Sequence, residues 1–255
     1  MNKYPVISIT LKDIETPKYN QSFNMLRDEL LRQFDRHSYL LKSDKINDRQ
    51  KKTYTDIINA EVEDESIPSS LKFLSECLEL HYNEKVIILI DEYDVPLERA
   101  YSNGYYSEMV NVIRKLFHTA LKTNNSLHFA VITGCLRVSK ESIFTGFNNP
   151  KIISITSDAY GEYFGFTDEE VLAALKFYQL DYKIDEARRW YNGYIFGNTV
   201  VYNPWSIVNY VQDSYENVNW FPLSYWVNTS SNNIIRELVE IADNGTRNEQ
   251  VSSLV

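Results

Sequence analysis

The chain has 255 residues, 44% of them hydrophobic and 24% charged, enough for one large core or a core with a small appendage. A formal net charge of −9 excludes a broad, non-specific nucleic-acid surface and leaves room only for a local basic patch. Cys77 and Cys135 fit no metal or disulfide spacing and read as reduced, buried thiols. The N-terminus MNKYPVISIT is not a signal peptide and no stretch is long enough to span a bilayer, so the expected location is cytoplasmic.

In chain order, PVISIT reads as a strand that begins almost at Met1, followed by a polar loop over residues 12–17. Residues 19–42 turn helical, with Phe23, Leu26, Leu30 and Phe34 on one face. A second helix is expected over 48–63, then an acidic turn, then a helix opened by Ser66-Ile-Pro-Ser that carries Leu71, Leu74 and Leu78, with Pro68 in its first turn. KVIILIDEYDVP, residues 85–96, has an unbroken apolar run and reads as a strand buried on both faces of a parallel sheet. Residues 97–104 read as a loop, 105–122 as a strong helix, and LHFAVI as the next strand, running into Thr133 and Gly134. Strand and helix alternate in this order, which predicts right-handed βαβ units.

A short helix over 139–144 and a fourth strand, KIISIT, over 151–156 are expected next. Thr167 and Glu170 form a capping box for a helix through about residue 179, and a further helix over 185–191 stops at Asn192-Gly193. Residues 194–202 read as a hairpin turned near Gly197-Asn198, and Asn203-Pro204 opens a helix over 205–211. A last helix is expected over 232–242.

Asp91 and Glu92 are the sharpest chemical signal. Ligands of parallel sheets sit beyond the carboxyl ends of the strands, and a hydrophobic run ending in Asp-Glu has the shape of a Walker B element. There the Asp helps hold Mg²⁺ and the Glu orients or polarises an attacking water. The competing reading is a strand that ends in acidic residues capping the next turn; Asp94 fits that reading, as a loop stabiliser. Thr133 can contact a γ-phosphate or the water, or simply satisfy loop backbone. Arg137 and Lys140 can meet a phosphate, in cis or on a partner, or be surface charges. GxxxxGK[ST], the phosphate-cradling loop, is absent from the sequence. Asp181-Tyr-Lys183 matches the tail of a metal-dependent nuclease signature but falls between helices, which reads as chance. The four His show no ligand spacing, with core or boundary places expected for His118 and His128. The many aromatics past residue 190 read as the core of a small helical subdomain before a base-stacking platform.

Taken together, KVIILIDEYDVPLE, FAVITGCLRVSKESIFTGFNN, FGFTDEEV, WYNGYIFG, VYNPWSIVNYV and SYWVNTSSNN occur in an order that resembles the AAA-ATPase-like family of bacterial proteins, across residues 85–236. The resemblance implies an α/β, parallel-sheet, P-loop NTPase-like core of the AAA type over residues 1–165, missing its P-loop strand and helix. A mainly helical subdomain with aromatic-rich motifs would follow over 166–255. It implies ATP and Mg²⁺ as cofactors, Asp91 (also the metal ligand) and Glu92 as catalytic residues, and Thr133 as a sensor-like nucleotide contact. Arg137, within LRVSKES, is carried with it as a candidate nucleotide contact. PVISIT resembles the strand that follows the P-loop helix in that family, so the chain looks truncated, lacking the Walker A segment expected ahead of it. A PD-(D/E)XK nuclease-like domain often follows in the family. The implied function is ATP binding and hydrolysis by the intact protein, impaired in this chain. The alternative is a non-catalytic scaffold for a nuclease-like or nucleic-acid-related partner. A homo-oligomer or another protein is the expected partner, with nucleic acid suggested by family association alone and no membrane.

Overall fold

The structure, a computed structural model, describes residues 3–135, 143 and 150–226. It divides into two compact units at residues 148/149. Arg137, Lys140, nearly all of the helix expected over 139–144 and the helix expected over 232–242 lie outside the described residues.

The first unit is α/β. Its apolar runs form β1 (Val6–Thr10), β2 (Val86–Asp91) and β3 (Leu127–Ile132). They make a three-stranded sheet in the order β1-β2-β3, with both pairings parallel. Helices α1 (Tyr19–Arg36), α2 (Asp48–Ile58), α3 (Ser70–Tyr82), α4 (Val95–Ser102) and α5 (Tyr106–Phe117) complete it. Alternation along the strands sends Ile7, Ile9, Val86, Ile88 and Ile90 into one core with Leu26, Leu30, Leu74, Leu78, Ile113 and Leu116 from the helices.

Three expectations change here. β2 is not buried on both faces. Its buried side is Val86, Ile88 and Ile90, while Leu89, Phe129 and Val131 are 36%, 46% and 45% exposed on the other. In register, Ile87 lies beside Phe129 and Leu89 beside Val131, so these side chains form continuous apolar rows on an open face. Residues 97–104 are mostly helix rather than loop. Asp94 at the N-cap and Pro96 in the first turn start α4, and Leu97 and Ala100, three apart, both face the core. The expected long helices are also shorter. α1 gives way to a 3₁₀ turn at Ser38–Lys42, α2 stops at Ile58, Pro68 lies in a 3₁₀ turn before α3, and α5 passes into a π-turn at His118–Lys122.

Among the described residues, the second unit combines three α-helices with one hairpin. It contains α6 (Asp168–Phe177), α7 (Ile184–Tyr191), β4 (Asn192–Phe196), β5 (Thr199–Tyr202) and α8 (Pro204–Glu216). β4 and β5 are antiparallel. The Thr167/Glu170 capping box is present in both directions, and the Asn203 side chain accepts the Ser206 N–H at 3.1 Å. The fourth strand is absent: residues 151–156 are irregular. The Ser157 hydroxyl accepts the Ser154 N–H at 3.1 Å, and the Ser157 N–H donates to the Ser154 carbonyl at 2.9 Å. This local Ser pairing takes up backbone groups that a sheet ladder would need. Ile152, Ile153 and Ile155 are correspondingly exposed.

Candidate active site

Parallel pairing sends every strand end to one edge of the sheet, and that is where the sequence-predicted carboxylates stand. Asp91 closes β2, opposite Thr10 of β1, and its carbonyl accepts the Leu11 N–H at 2.9 Å. On the other side the Thr133 N–H donates to the Ile90 carbonyl at 2.9 Å, and the Tyr93 N–H to the Thr133 carbonyl at 3.1 Å. The three strand ends are thus clipped together. The Thr133 hydroxyl donates to the Asp91 carboxylate, so two residues picked separately from the sequence are in direct contact.

Glu92 follows in a left-handed backbone conformation, φ 52°, which costs a non-glycine residue about 1–2 kcal/mol and turns the chain sharply out of the strand. Burial, then the neighbouring Asp91 carboxylate, raises its pKa above the ordinary range; Lys12 acts the other way. Tyr93 and Asp94 are buried beneath this edge, at 7% and 2% exposure. Asp94 does stabilise the turn, as expected, through its backbone: its carbonyl accepts the Leu97 and Glu98 N–H groups at 3.0 and 2.9 Å. Burial also raises Glu98, and Arg99 is held by Glu15 at 2.6 Å.

Asp91 is exposed and Glu92 partly so, and neither belongs to an ion pair among the described residues. Hard carboxylate oxygens on this edge fit Mg²⁺, which takes one or two carboxylates and keeps several waters. No group of three or more His, Cys, Asp or Glu that could hold a metal ion occurs among the described residues. The 255 residues contain no glycine-rich loop ending in Lys-Ser/Thr of the kind that cradles a triphosphate.

Residues 1–144 match the family described as predicted AAA-ATPase, more than half of the chain. The chain belongs to the AAA-ATPase-like family. A relative within reach of this AAA-ATPase-like chain is an uncharacterized protein in the vnfD 5' region of Azotobacter chroococcum mcd 1, 32% identical over 139 residues. The match covers 54% of this chain and 27% of that relative, so the chain spans about a quarter of the relative's length. No solved structure matches the AAA-ATPase-like chain.

Other candidates settle into structural places. Lys183 is buried and bonds the Glu186 carboxylate and the Trp220 carbonyl at 3.2 and 3.0 Å, so Asp181-Tyr-Lys183 is a structural turn. His118 and His128 are exposed rather than packed inside; the His128 ring stacks on Tyr4 at 4.4 Å. Cys77 is buried, whereas Cys135, expected to be buried, is exposed just past Thr133. Sequence reasoning missed Lys12 and Gly134 as members of this edge. The signal for Lys12 is simple: the exit of a strand paired in parallel with β2 must arrive beside Glu92.

Proposed function

We propose that this chain is part of an ATPase whose Walker B element is the end of β2, with Asp91 holding Mg²⁺ and Glu92 orienting the attacking water. The observation that carries the reading is the adjacent Asp91–Glu92 pair at the carboxyl edge of the central strand, with Thr133 of the neighbouring strand bonded to Asp91. Family membership supports it. A raised Glu92 pKa is favourable for a group that takes a proton from water near neutral pH. Thr133 is the sensor-like group, and Arg137 is a further candidate contact to the nucleotide. The reaction needs a phosphate loop from outside these 255 residues, and the expected setting is cytoplasmic.

The test is turnover by the full-length protein. Glu92→Gln abolishes Mg²⁺-dependent ATP hydrolysis, on the order of a 10²–10⁴-fold loss, and leaves ATP binding intact. Normal turnover in that variant removes Glu92 from the mechanism. The 255-residue chain titrated with a fluorescent ATP analogue shows no micromolar binding; micromolar, Mg²⁺-dependent binding refutes the need for an outside loop.

A second reading, a non-catalytic scaffold, is favoured by the open apolar rows around Leu89, Phe129 and Val131. The gene upstream of Met1 separates the two: an in-frame GxxxxGK[ST] belongs to the ATPase, and its absence to the scaffold.

A further inference from the structure

The exits of β2 and β3 approach each other more closely than a sheet ladder requires. A Cβ on Gly134 would lie 2.5 Å from Asp94 Oδ1 and 2.6 and 2.7 Å from Tyr93 Cε1 and Cδ1. These are not the free ends of surface side chains. Tyr93 and Asp94 are almost wholly buried, the Tyr93 ring stands 6.2 Å from that of Phe117, and Asp94 is the residue from which α4 starts. Any side chain at 134 therefore has to push its own backbone outward, by about 1 Å to regain van der Waals distance. The residue attached to that backbone is Thr133. Its N–H and carbonyl are bonded to Ile90 and Tyr93, and its hydroxyl donates to Asp91.

We propose that Gly134 is a positioning residue: its bare backbone seats the β3 exit against Tyr93 and Asp94 and so holds the Thr133 hydroxyl on the Asp91 carboxylate. The hydroxyl fixes one carboxylate oxygen and leaves the other free for a cation. The catalytic consequence rests on the ATPase reading; the seating does not. Packing alone would predict a loss of stability spread over the unit. Positioning predicts a local loss at the strand exits and a defect in the chemical step.

The experiment compares Gly134→Ala, Gly134→Val and Thr133→Val in the full-length protein. In both Gly134 variants the Tyr93 amide is expected to exchange with solvent about tenfold faster or more, while the Ile113 amide in α5 keeps its protection. The kcat for Mg²⁺–ATP falls on the order of 100-fold and KM stays within about twofold. Thr133→Val, which removes the hydroxyl at nearly constant volume, reproduces the kcat loss and leaves the Tyr93 amide protected. Wild-type protection at Tyr93 in Gly134→Val overturns the seating. Unchanged kcat in Thr133→Val, or in a Gly134 variant whose exits have loosened, overturns the positioning role. If the wild-type protein does not turn over ATP, the ATPase reading fails and exchange at Tyr93 alone decides the seating. Should Gly134→Val also lose protection in α5, the smaller Gly134→Ala and the volume-neutral Thr133→Val carry the decision.

Discussion

The two units are held together by different means. In the α/β unit the sheet packs mainly through aliphatic side chains, Ile7, Ile9, Ile88, Ile90, Leu74, Leu78, Ile113 and Leu116, with Phe34, Tyr54 and Phe117 in the same core, and Asp91 stands at the end of its strand. The helical unit has a smaller core, around Val171, Leu175, Ile207 and Tyr210, and ties it with acids. Tyr202 donates to Asp168 at 2.7 Å, Tyr225 to Asp213 at 2.6 Å, and Tyr210 to Glu186; Arg188 pairs with Asp168, and Lys183 with Glu186. The difference teaches which acids are spent. Asp168, Glu186 and Asp213 of the helical unit have phenols or cations fixed on them. Asp91 is bonded by a neutral hydroxyl, and Lys12 acts on Glu92 electrostatically without forming an ion pair with it among the described residues.

The comparison breaks first at the cores. Ile88→Ala empties a fully buried site in the middle of β2 and is expected to cost about 2–5 kcal/mol, read from denaturant unfolding followed in the α/β unit. A loss below about 1 kcal/mol would mean that this core is not the main support of the sheet. In the helical unit Lys183→Met deletes the ammonium, which stands 5.6 Å from the centre of the Tyr210 ring, and with it the bonds to Glu186 and Trp220. About 2 kcal/mol is expected, since the ammonium is buried and hydrogen-bonded on two sides. A stabilised Lys183→Met would show that desolvation outweighs those bonds.

Acid distinguishes the units next. Arg188, then Tyr202, holds the Asp168 carboxyl down at about 2, below its value of about 3.9 in an unfolded chain. A depressed carboxyl gives stability that is present above the unfolded value and lost as pH falls through the folded one. The helical unit should therefore loosen between about pH 4 and 2, and Asp168→Asn should flatten that loss. Because both partners are more than a third exposed, added salt should shrink the effect. Hydrogen exchange in α6 and α7 against pH reads it; a pH profile in Asp168→Asn identical to wild type removes this pair as the cause.

Much of this was legible in the sequence because it follows from local rules. Runs rich in apolar and β-branched residues placed β1, β2 and β3; Thr167/Glu170 and Asn203-Pro204 placed α6 and α8; and the strand end placed Asp91 and Glu92 at the carboxyl edge of the sheet. What was not legible depends on neighbours. A run such as VIILI has the same composition whether one or both faces are covered, so the open side of the sheet could not be read from it. KIISIT has strand-like residues, but its Ser side chains close a turn on themselves. α4 was hidden because eight residues give too few turns for a clear period, although Asp94 followed by Pro96 marks its start. The bond from Thr133 to Asp91 needed the register of β2 against β3, and the tight seat of Gly134 needed the buried ring beneath it.

The smallest expected effect tests the open face directly. Val131 of β3 lies beside Leu89 and is 45% exposed, whereas Ile88 of β2 faces the core from the same sheet. Replacing either by Thr trades a methyl-bearing branch for a hydroxyl, yet the surroundings decide the cost. At 88 the hydroxyl enters an aliphatic interior and the residue also loses volume, so about 2–4 kcal/mol is expected. At 131 the hydroxyl reaches water and Thr keeps the β-branched shape that suits a strand, so the change should stay within about 0.5 kcal/mol. Paired denaturant curves of the two variants measure the contrast without any nucleotide. A loss above about 1.5 kcal/mol at 131 would mean that this face is covered in solution, because only a desolvated hydroxyl carries such a penalty.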